Sequence, residues 1–136
     1  MIDVVVVDAN IFFSALLRAD SPFSLTLLGG RHQFVLGESV LAELFKHKET
    51  IARFSALDED RLWRHFLSLI RACRVEKEEL VSRAIYDQAI KLCKDIDPTD
   101  TPHVAMTLHL DGRLWTGDKQ LRAGLEAKGF DRFFDP

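Results

Sequence analysis

The sequence predicts an α/β fold in which a central, mostly parallel sheet carries helices on both faces. Three observations predict it. Residues 2–7, IDVVVV, are β-branched and lack polar alternation, as in a strand covered on both sides. Segments of helical period alternate with short strand-like runs along the whole chain. Carboxylates stand where strands end, Asp8 after IDVVVV and Asp118 just beyond RLWT. At 136 residues and 47% hydrophobic content, the chain has the size and apolar material of one domain spanning 1–136.

After the opening strand, NIFFSALLRA reads as a helix with apolar positions wide around its axis, broken at Ser21-Pro22. QFVLG at 33–37 is a second strand, and Ser39 is the expected N-cap of a helix VLAELFKHKE. Asp58 caps the run DEDRLWRHFLSLIRACR. Its Arg61, Arg64, His65, Ser68 and Arg71 fall on one stripe, and Leu62, Phe66, Leu69 and Ile70 on the other. The stripe reads as a solvated face or as a phosphate-tracking rim formed by Arg61, Arg64 and Arg71.

Arg74-Val75-Glu76 is a weak third strand, and a helix follows from Ser82 to Lys94. DIDPTD is a polar break, and helical periodicity resumes over 101–110 until Asp111-Gly112. RLWT at 113–116 is a short strand, DKQLRAGLEAK a helix closed by Gly129, and FDRFF a last edge strand. The chain holds no repeat, low-complexity stretch or interdomain linker.

The formal charge of −3 argues against a uniformly basic nucleic-acid-binding surface. No apolar run reaches the roughly 18 residues of a membrane span, and MIDVVVVDAN has no signal-peptide pattern, so a cytoplasmic protein without a membrane partner is expected. Cys73 and Cys93 lack zinc-site spacing and read as buried free thiols.

Loops leaving the carboxyl ends of parallel strands share one edge of the sheet, where ligands bind. Asp8 and Asp118 both emerge there. Asp3 lies at the other end of the first strand, about 16 Å away at roughly 3.3 Å per residue. Glu43, about one turn into its helix, flanks an apolar arc and can turn towards the same edge, and Asp100 opens a helix there. Each acid also has an ordinary reading. Asp100 and Asp118 could be N-caps, Asp8 a turn residue, and Glu43 a surface partner of Lys46 or His47. Asp97 rivals Asp100, since DPTD offers two acids before the helix. Together the acids suggest more, because carboxylates about 5 Å apart repel by roughly 3 kcal/mol at an effective dielectric near 20. A hard divalent cation, Mg2+ or Mn2+, relieves that repulsion.

The chain resembles the PIN-domain nucleases over nearly its whole length. VVVVDANIFFSALL, SVLAELFKH and DPTDTPHVAMTLHLDGRLWTGDKQL carry the resemblance, and the last, with its T-G-D turn, is the most specific. The resemblance implies a three-layer α/β/α fold with a sheet of four to five strands. It also implies Asp8, Glu43, Asp100 and Asp118 as catalytic, metal-binding acids, with Asn10 and Thr116 as polar helpers and Asp97 as an accessory ligand. The implied reaction is hydrolysis of RNA phosphodiesters by water activated by Mg2+ or Mn2+. Small stand-alone members resemble toxins of toxin–antitoxin pairs, which implies an antitoxin partner and a homodimer. His47, His103 and His109 lack metal spacing such as HExxH.

Two other classes fit less well. A haloacid-dehalogenase-like phosphatase needs a second acid two positions after Asp8, where this chain has Asn10. A receiver-like signalling domain needs a mid-chain aspartate ending a strand and a late strand lysine, but Arg74-Val75-Glu76 ends in glutamate and Lys119 falls at a helix start.

Overall fold

The computed structural model describes residues 3–136, so Ile2 of the expected opening strand lies outside the described residues. Strands β1 (Val4–Val7), β2 (Gln33–Gly37), β3 (Cys73–Glu76) and β4 (Arg113–Trp115) form one parallel sheet in the order β3-β2-β1-β4. Val5 pairs with Phe34 on one side and with Arg113 on the other.

The pleat sends alternate residues to two cores. Val5, Val7, Phe34, Leu36 and Trp115 face one, and Val6, Val35 and Leu114 face the other. This explains why the first strand carries no polar alternation. The first core is covered by α1 (Ala9–Leu17), α2 (Pro22–Leu28), α3 (Glu38–Lys46), α4 (Lys48–Phe54) and α5 (Glu59–Arg71). The second is covered by α6 (Arg83–Cys93), α7 (Thr101–Leu110) and α8 (Lys119–Ala127). The result is a three-layer α/β/α domain. No single helix among the described residues is long and apolar enough to cross a membrane.

Strand order determines where a site can form. From β1 the chain crosses the first helical layer to β2, while from β3 it returns over the second layer to β4, on the far side of β1. The carboxyl ends of β1 and β4 therefore flank the topological switch point of the sheet, where crossovers depart in opposite directions and leave a crevice.

Several elements differ from the sequence reading. Ser21-Pro22 begins a helix as well as ending one. The Ser21 hydroxyl accepts the Ser24 N–H at 3.2 Å, and Pro22 occupies the first turn of α2, where its missing N–H costs nothing. The helix expected over VLAELFKHKE is two helices broken at His47, a bend that lets Leu44 and Ile51 reach the same core. Ser39 is not its cap, because α3 starts at Glu38. A distant carboxylate does that work instead, both oxygens of Glu78 accepting the Ser39 N–H at 3.1 Å. The edge strand expected at FDRFF is a single bridge from Phe133 to Leu114, because its phenylalanines turn into the two cores.

His65 was placed on the arginine stripe but is buried. Its Nε2 lies 2.9 Å from the Ala15 carbonyl oxygen and 3.0 Å from the Ser24 hydroxyl. The fully buried Ser24 hydroxyl in turn reaches the carbonyl oxygens of Ala15 (2.6 Å) and Arg18 (2.9 Å). This polar knot ties α1, α2 and α5 together. Ser24→Ala is expected to destabilise the fold by about 1 to 2 kcal/mol. Thermal unfolding would detect this as a fall of several degrees without change in metal binding.

Candidate active site

At the switch point lies a cleft of about 460 Å³. Its lining includes Asp8, Asn10, Glu43, Asp97, Asp100 and Asp118, together with Ser39, His47 and His103. The depression at the opposite end of the sheet, about 560 Å³, holds Asp3 as expected. There Arg113 and Arg132 offset the acids, and Arg132 pairs directly with Asp111.

Asp8 follows β1 and caps α1, its Oδ1 accepting the Ile11 N–H at 2.9 Å. Its own N–H reaches the Trp115 carbonyl at 3.2 Å, joining the two strand ends. Only 4% of the residue is exposed. Burial raises its carboxyl above the usual range, while hydrogen bonds from the Thr116 side chain and the Ile11 N–H hold it down. Asp118 caps α8 by accepting the Leu121 N–H at 3.0 Å, and its own N–H donates to the Thr116 hydroxyl at 3.1 Å. Thr116 thus touches both strand-end acids and sets their spacing. Thr116→Val keeps the shape and removes both hydrogen bonds. It is expected to weaken Mn2+ binding about tenfold, measurable by titration calorimetry, because orienting groups of this kind usually contribute that much.

Asp97 and Asp100 come from the 3-10 turn Pro98–Asp100 that leads into α7. Asp97 caps the turn, accepting the Thr99 N–H at 3.0 Å and the Thr99 hydroxyl at 2.6 Å, and these bonds hold its pKa low. Asp100 makes no cap bond, so the N-cap reading describes Asp118 and not Asp100. Burial first, then the charges of Asp97, Asp8 and Asp118, push the Asp100 carboxyl up to about 7, and it hydrogen-bonds to Asp97. One carboxylate oxygen each from Asp97, Asp100 and Asp118 lie within 4.8 Å of one another. The two rival acids of DPTD therefore both belong to the cluster, with Asp8 beside them.

Glu43 stands on the cleft wall outside this tight group, 3.4 Å from His47 and 3.9 Å from Lys46. Its surface-pairing role is realised, and the residue still lines the cleft. Asn10 sits at the exposed lip. Arg61, Arg64 and Arg71 do not line the cleft. Arg61 lies 3.6 Å from Asp58 and Arg64 3.2 Å from Asp60, and their helix runs into β3 at the far edge of the sheet.

Two lining residues had little signal in the sequence. The Ser39 hydroxyl is buried without a hydrogen-bond partner among the described residues. His103 is 9% exposed. Burial lowers its pKa against the pull of Asp8, Glu78 and Glu43. Neither belongs to a recognisable spacing motif, and only the start of α7 after Asp100 places His103 near the acids.

The donors fit a hard divalent cation. They are carboxylate oxygens at close range, and burial first, with neighbouring carboxylates, raises Asp8 and Asp100. Comparison with known proteins agrees with this architecture. A PIN-domain family profile matches residues 6–133. Among solved structures, VapBC2 from Rickettsia felis, bound to a DNA fragment from its promoter, superposes with a TM-score of 0.66 at 12% identity, covering 96% of this chain and 95% of that one. PAE2754 from Pyrobaculum aerophilum gives 0.62 at 14% identity, covering 93% and 86%. These two likenesses concern the fold. No curated protein sequence matches. With the profile reaching from within the first strand past the last and covering every acid of the cleft, the chain belongs to the PIN-domain family.

Proposed function

We propose that this chain is a divalent-metal-dependent ribonuclease that hydrolyses RNA phosphodiester bonds, and that it is the toxin of a toxin–antitoxin pair. The convergence of Asp8, Asp97, Asp100 and Asp118 at the switch point is the observation that carries the nuclease reading. Asp8, Asp100 and Asp118 would hold the cation, Asp97 would support Asp100, and Glu43 would act from the facing wall. Bound Mg2+ or Mn2+ would make a water more acidic and offset charge on the transferring phosphoryl group.

The protein supplies position and charge. Cap bonds from the Ile11 and Leu121 N–H groups fix one oxygen each of Asp8 and Asp118, so these ligands need little ordering on binding. Asp100 or Glu43 would help take a proton from the attacking water. Asn10 at the lip can donate to a substrate phosphate oxygen. The sequence's resemblance to small stand-alone PIN toxins supports the toxin reading. The VapBC2 likeness supports an antitoxin partner protein, since that structure was solved on promoter DNA.

The test is incubation of the purified chain with single-stranded and structured RNA in Mg2+, Mn2+ or chelator. Cleavage that needs either metal is expected. Absence of cleavage together with release of phosphate from small phosphomonoesters would sink the nuclease reading.

A further inference from the structure

Beside the acidic cleft lies a second depression of about 380 Å³, and Thr99 and Pro102 line both. Its floor is mainly apolar. Tyr86, Ile90 and Lys94 stand at i, i+4 and i+8 on α6 and at its end, so they form one stripe along that helix. Pro98 and Pro102 close the depression towards the cleft. Tyr86 is half-buried, its ring packed against the second core on one side and bordering the shelf on the other. Ile90 is 43% exposed and offers an apolar face beside that ring. Lys94 is exposed and has no ion-pair partner among the described residues, although 11 such pairs occur elsewhere.

We propose that this shelf is a nucleobase subsite for single-stranded nucleic acid, in which a base next to the scissile phosphate lies against Tyr86 and Ile90 and a flanking phosphate meets Lys94. The proposal rests on the nuclease reading and specifies its substrate. Continuity supports it, because Thr99 and Pro102 line both depressions and a strand whose phosphate sits among the acids can pass over them onto this surface. Charge supports it too. The cleft is crowded with carboxylates, so a polyanion needs attachment outside it, and an aromatic ring with an unpaired lysine offers stacking and a cation together. The volume is within the range of small-ligand pockets. Tyr86 is the only tyrosine of the chain, so its ring can be followed alone.

The experiment measures binding of a fluorescent oligouridylate by anisotropy, with Ca2+ in place of the activating metal, and cleavage of the same RNA in parallel. Tyr86→Ala is expected to weaken binding on the order of ten- to a hundredfold, with Tyr86→Phe close to the parent. Removing one base from the ligand should weaken binding to the parent but add little loss to Tyr86→Ala. Lys94→Glu, a surface change that leaves folding intact, should weaken binding and flatten its salt dependence. Mn2+ affinity should be unchanged in all three variants, and melting temperature in Tyr86→Phe and Lys94→Glu, while Tyr86→Ala should melt several degrees lower because its ring also packs against the second core.

If the parent cleaves RNA while Tyr86→Ala and Lys94→Glu bind as it does, the shelf proposal fails and the nuclease reading stands. If the parent neither binds Mn2+ nor cleaves, yet loses oligonucleotide binding on Tyr86→Ala, the nuclease reading fails and the shelf survives. A change from dimer to monomer in Ile90→Glu with RNA affinity retained would make the shelf a contact between copies and overturn the proposal.

Discussion

Asp8→Asn is expected to lower metal-dependent cleavage by at least about a hundredfold while raising the melting temperature of the metal-free protein. Both effects come from one carboxylate. Asp8 is buried, which raises its pKa, and it stands beside Asp118 and Asp100. In the metal-free state its charge is a burden on the fold. Asparagine can still accept the Ile11 N–H and cap α1, so the substitution removes charge and leaves local structure in place. The same charge is what attracts the cation, and losing a ligand exceeds the ten- to hundredfold usually lost with an orienting group. Cleavage rates and thermal unfolding in chelator measure the two halves. If activity and stability fell together, the loss would reflect misfolding and the ligand assignment would be refuted.

Apparent Mn2+ affinity is expected to rise about tenfold per pH unit between pH 5 and 7, then level off. The Asp100 carboxyl, raised to about 7 by burial and by Asp97, Asp8 and Asp118, keeps a proton below that pH. A cation must displace it, and each proton released gives about a factor of ten per pH unit. Stability of the metal-free protein runs the other way. An acid whose folded pKa lies above its unfolded value of about 4 binds more protons when folded, so its contribution is full in acid and lost as pH rises towards 7. Stability without metal should therefore fall from about pH 4 to 7, and metal-induced stabilisation should grow over the same interval. Calorimetric titrations in buffers of different ionisation enthalpy count the released protons. A flat affinity profile from pH 5 to 7 would remove Asp100 from the ligand set.

The fold was legible because its strands are buried on both faces. IDVVVV and QFVLG could show no alternation once helices covered both sides, and Asp58 caps its helix as read. What the sequence could not show depends on partners distant in the chain. The Ser39 N–H is satisfied by Glu78, and His65 is buried by Ser24 and the Ala15 carbonyl. Asp8 and Asp118 were readable because strand ends and cap positions are local. The choice between Asp97 and Asp100 was not local, since a 3-10 turn brings both to the cluster. The arginine stripe could be read as a solvated face or as a rim beside the site only while the strand order was unknown. With β3 at the far edge, its helix is carried away from the gap between β1 and β4.

That strand order also governs when the site can exist. Val5 of the first strand pairs directly with Arg113 of the last, so closing the sheet at this point joins segments from opposite ends of the sequence. Pairings so distant are slow to form, because loop entropy is lost before contacts compensate it. Asp8 and Asp118 remain apart until that closure, and a partly folded chain carries no assembled catalytic centre. A cation that binds only the closed sheet would act chiefly by delaying unfolding, as a kinetic lock on the finished molecule.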